Sequence, residues 1–154
     1  MGALKDRLRA DLVTAMKAKD EAAKSNVRMA LAAIQNEEVA GKQARELTDE
    51  EEIRVVTREV NKRKDSAQAY ADGGRPELAA KEAAEAEFLS RYLPAQMGDH
   101  EIRAIVDTII TRQSAGGDRP TMKQMGQVMK AVTAEVAGRA DGRRVSEIVR
   151  EALA

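Results

Sequence analysis

Apolar residues recur at intervals of three and four along most of this chain, the repeat of a helix with one buried side. Leu4, Leu8, Leu12, Ala15 and Met16 set out the first stripe, which ends near Lys19-Asp20. Asp20 can cap a second helix with Val27, Ala30, Leu31 and Ile34 inward, reaching Gly41, although no glycine or proline forces a bend between the two. Thr48-Asp49-Glu50-Glu51 has the form of a capping box, Thr48 accepting from the third amide while Glu51 reaches back. The helix it starts carries Ile53, Val56, Val60 and Ala67 and runs to about Asp72. Gly73-Gly74-Arg75-Pro76 stops it and opens a fourth helix, glycine past one end and proline in the next first turn. That helix uses Leu78, Ala86, Leu89 and Leu93, with Phe88 and Tyr92 beside them.

Leu93-Pro94-Ala95-Gln96-Met97-Gly98 is the expected domain boundary. Proline disfavours helical geometry at Leu93, and Gly98-Asp99 supplies a break followed by an N-cap. Beyond it Ile102, Ile105, Val106, Ile109 and Ile110 make the strongest stripe in the chain, and Gly116-Gly117-Asp118-Arg119-Pro120 reads as a loop. Met122, Met125, Met129, Val132 and Val136 form another helical face, and Gly126 within it costs up to about 1 kcal/mol relative to alanine. Close approach of a neighbouring helix is the expected reason for that glycine. Gly138-Arg139-Ala140-Asp141-Gly142 breaks the helix, and Val145, Ile148, Val149, Ala152 and Leu153 resume the pattern. The expected fold class is all-α: an N-terminal bundle of about four helices over residues 1–94, then a small three-helix domain over residues 95–154.

Composition sharpens this picture. Apolar residues make up 43% of the 154 but aromatics only 2%, so the core must be Leu, Ile, Val, Met and Ala. Lys plus Arg and Asp plus Glu balance at 26 each, so whole-chain charge does not point to a polyanion. The absence of cysteine removes disulfides, thiolate metal sites and cysteine nucleophiles, and fits a reducing compartment. No apolar run approaches the roughly 18 residues of a membrane span, and no signal peptide precedes the first stripe. The expected location is cytoplasmic, with no membrane partner.

Chemical motifs are few. There is no Gly-x-Ser-x-Gly elbow, Walker loop or dinucleotide fingerprint. His100, the one histidine, falls in the first turn of a predicted helix and has no second histidine or cysteine to complete a zinc site or nucleophile pair. Glu37-Glu38 and Asp49 to Glu52 could be paired carboxylates or a hard-metal site, but carboxylates favour helix starts, so a solvated cap is preferred. Glu82, Glu85 and Glu87 read as a solvated helix face. No catalytic residue, metal or cofactor is expected.

The basic residues are uneven. Arg119, Lys123, Lys130, Arg139, Arg143, Arg144 and Arg150 face only Glu135, Asp141 and Glu147 within the same stretch. Asp141 reads as the cap of the last helix, which puts Arg143 and Arg144 in its first turn. A helix start flanked by arginines, with open amides, could receive a phosphate; alternatively Arg143 pairs with Glu147 one turn on. Asn61-Lys62-Arg63-Lys64 reads as a solvated face salt-bridged through Glu59. Arg28 is either an anchor or an exposed binding residue, and the methionines read as adaptable core.

Several motifs carry a resemblance. Ser25-Asn26-Val27-Arg28-Met29, Leu47-Thr48-Asp49-Glu50-Glu51, Lys62-Arg63-Lys64-Asp65-Ser66 and Gly74-Arg75-Pro76-Glu77-Leu78 come in order. Tyr92-Leu93-Pro94, Met125-Gly126-Gln127-Val128-Met129 and Gly138-Arg139-Ala140-Asp141-Gly142 with Val145-Ser146 follow. Together they resemble the YqeY family over nearly the whole chain. The C-terminal part is similar to the tail domain of GatB, a component of the tRNA-dependent amidotransferase. That resemblance implies two helical domains and a family label of carbon–nitrogen ligase activity with glutamine as amido-N-donor. The chain lacks the amidase serine–lysine machinery and the kinase-like ATP and metal site which that chemistry requires. What the resemblance carries over is therefore association with tRNA or another structured RNA. Lys123, Lys130, Arg139, Arg143 and Arg144 match or flank the tail motif and are the expected RNA-binding residues. With so few aromatics, the contacts would read shape rather than stack on bases. The competing expectation is a helical adaptor that binds a protein partner and has no RNA role.

Overall fold

The computed structural model describes residues 2–136 and 138–154; Met1 and Ala137 lie outside them. Among the described residues all regular structure is helical, as the stripes predict: seven α-helices and one 3-10 turn. The chain divides into two compact units, Met1–Leu93 and Pro94–Ala154, each with its own aliphatic core.

The first unit holds α1 (Ala3–Ala18), α2 (Glu21–Glu38), α3 (Asp49–Asp72) and α4 (Pro76–Ser90). Leu8, Ala30, Ile34, Val56 and Leu89 are fully buried between them. The α1–α2 corner is real and is made by a lysine: Lys19 takes φ 56°, its amide donates to Met16 O and the Asp20 amide to Ala15 O. This is the left-handed helix stop that glycine usually supplies, which is why no glycine marked it. The Asp20 carboxylate then accepts from the Ala23 amide at 3.1 Å and starts α2. α2 stops at Glu38, short of the expected Gly41. At the head of α3 the Thr48 hydroxyl accepts from the Glu51 amide and donates to the Glu51 carboxylate, both at 3.2 Å. Gly74 at φ 75° ends the α3 segment, with the Arg75 amide donating to Tyr70 O at 2.8 Å. Residues 68–77, the tip where α3 turns into α4, are exposed throughout and outrun the core.

Two charged groups expected in water are inside. Glu52 is 1% exposed. Its carboxylate accepts from the Lys5 amide at 3.1 Å, and Asp49 accepts from the Ala3 amide at 2.9 Å. The acidic run thus caps α1 as well as opening α3, satisfying first-turn amides and the positive end of a second helix dipole. Gly2 fits against Glu52 only because it lacks a side chain: a Cβ there would stand 2.0 Å from Oε1. The Lys5 ammonium, also buried, pairs with Glu38. Arg63 is the second departure. It lies among Glu59 (3.3 Å), Glu85 (3.4 Å) and Glu82 (3.9 Å), and its Nη2 approaches Met29 Sδ at 3.3 Å. The expected solvated faces of α3 and α4 therefore meet through this guanidinium, while Lys62, Lys64 and Glu87 do stay exposed.

The second unit holds α5 (Asp99–Gln113), a 3-10 turn (Met122–Gln124), α6 (Met125–Val136) and α7 (Gly142–Leu153). Its core is Ile102, Val106, Ile109, Ile110, Val128, Val132, Val136, Val145, Ile148 and Val149. The buried face of α6 is thus centred on valines; Met125 and Met129 pack at its margin, and Met122 is 44% exposed. Met122 lies in the 3-10 turn that precedes α6, where Thr121 and Gln124 form a capping box. Gly98, not Asp99, is the cap residue of α5. Gly126 is exposed and has no neighbouring helix against it, which overturns the expected reason for a glycine there.

Candidate nucleic-acid interface

The Gly138 to Gly142 corner is built from residues with separate tasks. Gly138 takes φ 80°, which a side chain would strain. Arg139 is stitched to the start of the unit: its carbonyl accepts from the Met97 amide at 2.7 Å and its Nε donates to Ala95 O at 2.9 Å. Ala140 is buried in the core. Asp141 caps α7, its carboxylate accepting from the Arg143 amide at 3.0 Å.

Of the five expected RNA-binding residues, the fold treats two as internal struts. Arg144 donates through Nε and Nη2 to the two Asp99 oxygens at 3.0 and 2.7 Å, and through Nη1 to Glu147 at 2.7 Å. The bond to Arg144 holds the Asp99 carboxyl below its ordinary value, and Asp99 and Glu147 in turn raise the Arg144 guanidinium further. Glu147 thus pairs with Arg144, three residues before it. Arg139 also faces Glu101 at 3.7 Å. The α5 start therefore neutralises much of the positive charge at the corner, and the unit as a whole carries nine cations against eight anions. At the start of α7 the Asp141 carboxylate already takes the Arg143 amide and lies beside the positive end of the helix.

The other three stand differently. Arg143 is exposed in the first turn of α7. Lys123, in the 3-10 turn, and Lys130, on α6, are exposed, and neither has an ion-pair partner among the described residues. Seven residues apart, they share one side of the helix. Arg119, outside the expected set, donates to Ala152 O at 2.9 Å and so steadies the end of α7. Sequence reasoning missed the Arg144–Asp99 pair, which nothing local announces, and the Thr121–Gln124 capping box, whose Thr-x-x-Gln spacing was a readable signal.

The first unit has a concavity of its own, about 300 Å³, lined by Arg7, Asp11, Phe88, Arg91 and Tyr92 among others. Tyr92 donates to Asp11 at 2.5 Å, and Arg7 lies over the Tyr92 ring at 4.6 Å. Burial, then the Asp11 carboxylate, raises the phenol pKa well above its usual value. His100 is exposed in the first turn of α5. Among the described residues no three His, Cys, Asp or Glu side chains converge as metal ligands, and no helix is long and apolar enough to cross a membrane.

A family model described as Yqey-like protein matches residues 5–153. Altered inheritance of mitochondria protein 41, mitochondrial, from Saccharomyces cerevisiae strain YJM789 is 32% identical over 130 residues, covering 79% of this chain and 68% of that protein. The protein of the same name from strain RM11-1a matches to the same extent. That from Vanderwaltozyma polyspora is 36% identical over 87 residues, 56% of this chain and 46% of its own length.

Proposed function

The chain belongs to the YqeY-like family, and from that premise we propose that it is an accessory module that associates with structured RNA, tRNA foremost, and does not itself transfer an amide. The observation that carries the reading is the outward side of α6, where Lys123 and Lys130 stand in water without carboxylate partners. Arg143 adds a third exposed cation, while Arg139 and Arg144 hold the corner in place. Lysines are suited to phosphates as point charges, and such contacts follow backbone shape, in keeping with a chain nearly without aromatics. Kinship with the amidotransferase tail supplies the tRNA. The cytoplasmic location expected from composition is part of the same proposal.

The test is tRNA binding by the full chain at low salt. Affinity falls as salt rises, with a log–log slope of about 0.7–0.9 per phosphate contacted. Lys123→Glu with Lys130→Glu weakens binding at least about tenfold and flattens that slope, whereas Arg144→Ala changes neither through direct contact. Full affinity in the double reversal removes this surface; recovery of a stoichiometric protein with no nuclease-sensitive material favours the adaptor reading. Glutamine-dependent amidation by the chain alone would overturn the accessory role.

A further inference from the structure

The outward side of α6 carries a glycine that nothing inside the molecule accounts for. Gly126 is exposed, and a Cβ built on it would meet no atom within 4 Å. Its backbone is ordinary α-helix, so alanine would fit and would favour the helix. A glycine so placed is explained when something outside must approach the backbone more closely than a side chain allows. Its surroundings say what kind of thing. Lys123 lies about one turn before it and Lys130 about one turn after, with Gln127 beside them. Glu135, the carboxylate of α6, falls on the opposite side at about 100° per residue. At a rise of about 1.5 Å per residue, the two lysines root roughly 10 Å apart with the bare backbone between them.

We propose that a phosphodiester backbone crosses α6 at Gly126, flanked by phosphates held by Lys123 and Lys130. This rests on the RNA reading above and names where and how closely the RNA is met. A partner helix is the poorer occupant: close helix packing at a glycine would bury two ammonium groups with no acceptor to receive them. A phosphate backbone supplies those acceptors and needs the same close approach.

The experiment uses the full chain with tRNA at low salt, in three variants. Gly126→Ala raises the Tm by about 2–4 °C yet weakens tRNA binding. Gly126→Gln, longer and uncharged, weakens it at least about tenfold. Ala104→Gln, on the exposed side of α5, adds the same length elsewhere and leaves affinity unchanged. Wild-type binding with undiminished affinity in Gly126→Gln overturns this inference and leaves the RNA reading standing. No tRNA binding by the wild type overturns both. Polyglutamate bound as tightly as tRNA, and equally sensitive to Gly126→Gln, overturns the choice of phosphate.

Discussion

Arg63 of α3 and Arg144 of α7 are each held by more than one carboxylate, but at different depths. The Arg63 side chain is 13% exposed, and its Nε, like Glu82 Oε2, is buried with no hydrogen-bond partner among the described residues. Arg144 is 33% exposed and makes three short, well-directed bonds. The contrast runs through the two units. Among the described residues the buried polar ones, Lys5, Asn26 and Glu52, all lie in the first, while the core of the second is aliphatic. A group taken out of water must find a partner in one geometry, so the polar contacts of the first unit help to specify how its helices meet. The second unit makes its polar ties nearer the surface, through Arg144 to Asp99 and Arg139 to Ala95, and leaves Lys123 and Lys130 in solvent.

Deleting aliphatic volume should not distinguish the units. Leu89→Ala in the first and Ile148→Ala in the second each cost about 2–5 kcal/mol, read by urea unfolding. Strongly unequal losses would mean that one core is slack. Glu52→Ala costs about 1–3 kcal/mol, since the Lys5 amide loses its acceptor. Glu52→Gln, which retains an acceptor, recovers most of that. No loss in Glu52→Ala would show that the buried carboxylate is incidental.

Arg144→Ala has a smaller effect, seen chiefly in acid. The Asp99 carboxyl is held below its ordinary 3.8, so its contribution is present above that value and fades as pH falls through its folded-state value. The variant loses this part of the acid slope. Tyr92 gives the opposite limb. Its phenol pKa is raised above 10, so stability is intact below pH 10 and declines as pH rises past it; Tyr92→Phe removes that decline. An unchanged alkaline limb in Tyr92→Phe would mean that the phenol is not held buried against Asp11 in solution.

What could be read from the sequence was what neighbours along the chain decide. Thr48 marked the start of α3, Gly73-Gly74 and Pro76 its end and the next start, and Asp141 the start of α7, because each acts on amides or carbonyls within a turn. Glu52 was misread because its burial is decided by the start of α1, 47 residues away. Arg144 likewise finds Asp99 45 residues back. No local pattern announces such partners. Lys123 and Lys130 were singled out by the resemblance to the tail motif, and their exposure was not read from the sequence. Gly126 was noticed for its helix cost, and the helix expected against it is not there.

The turn joining α3 to α4 stands in solvent at every position from residue 68 to residue 77. A fluorophore or an epitope carried at the exposed Ala71 or Glu77, which spares the Gly73-Gly74 turn, should ride there without disturbing either core. That makes the tip a handle by which this chain can be watched or captured while everything else about it is left as it is.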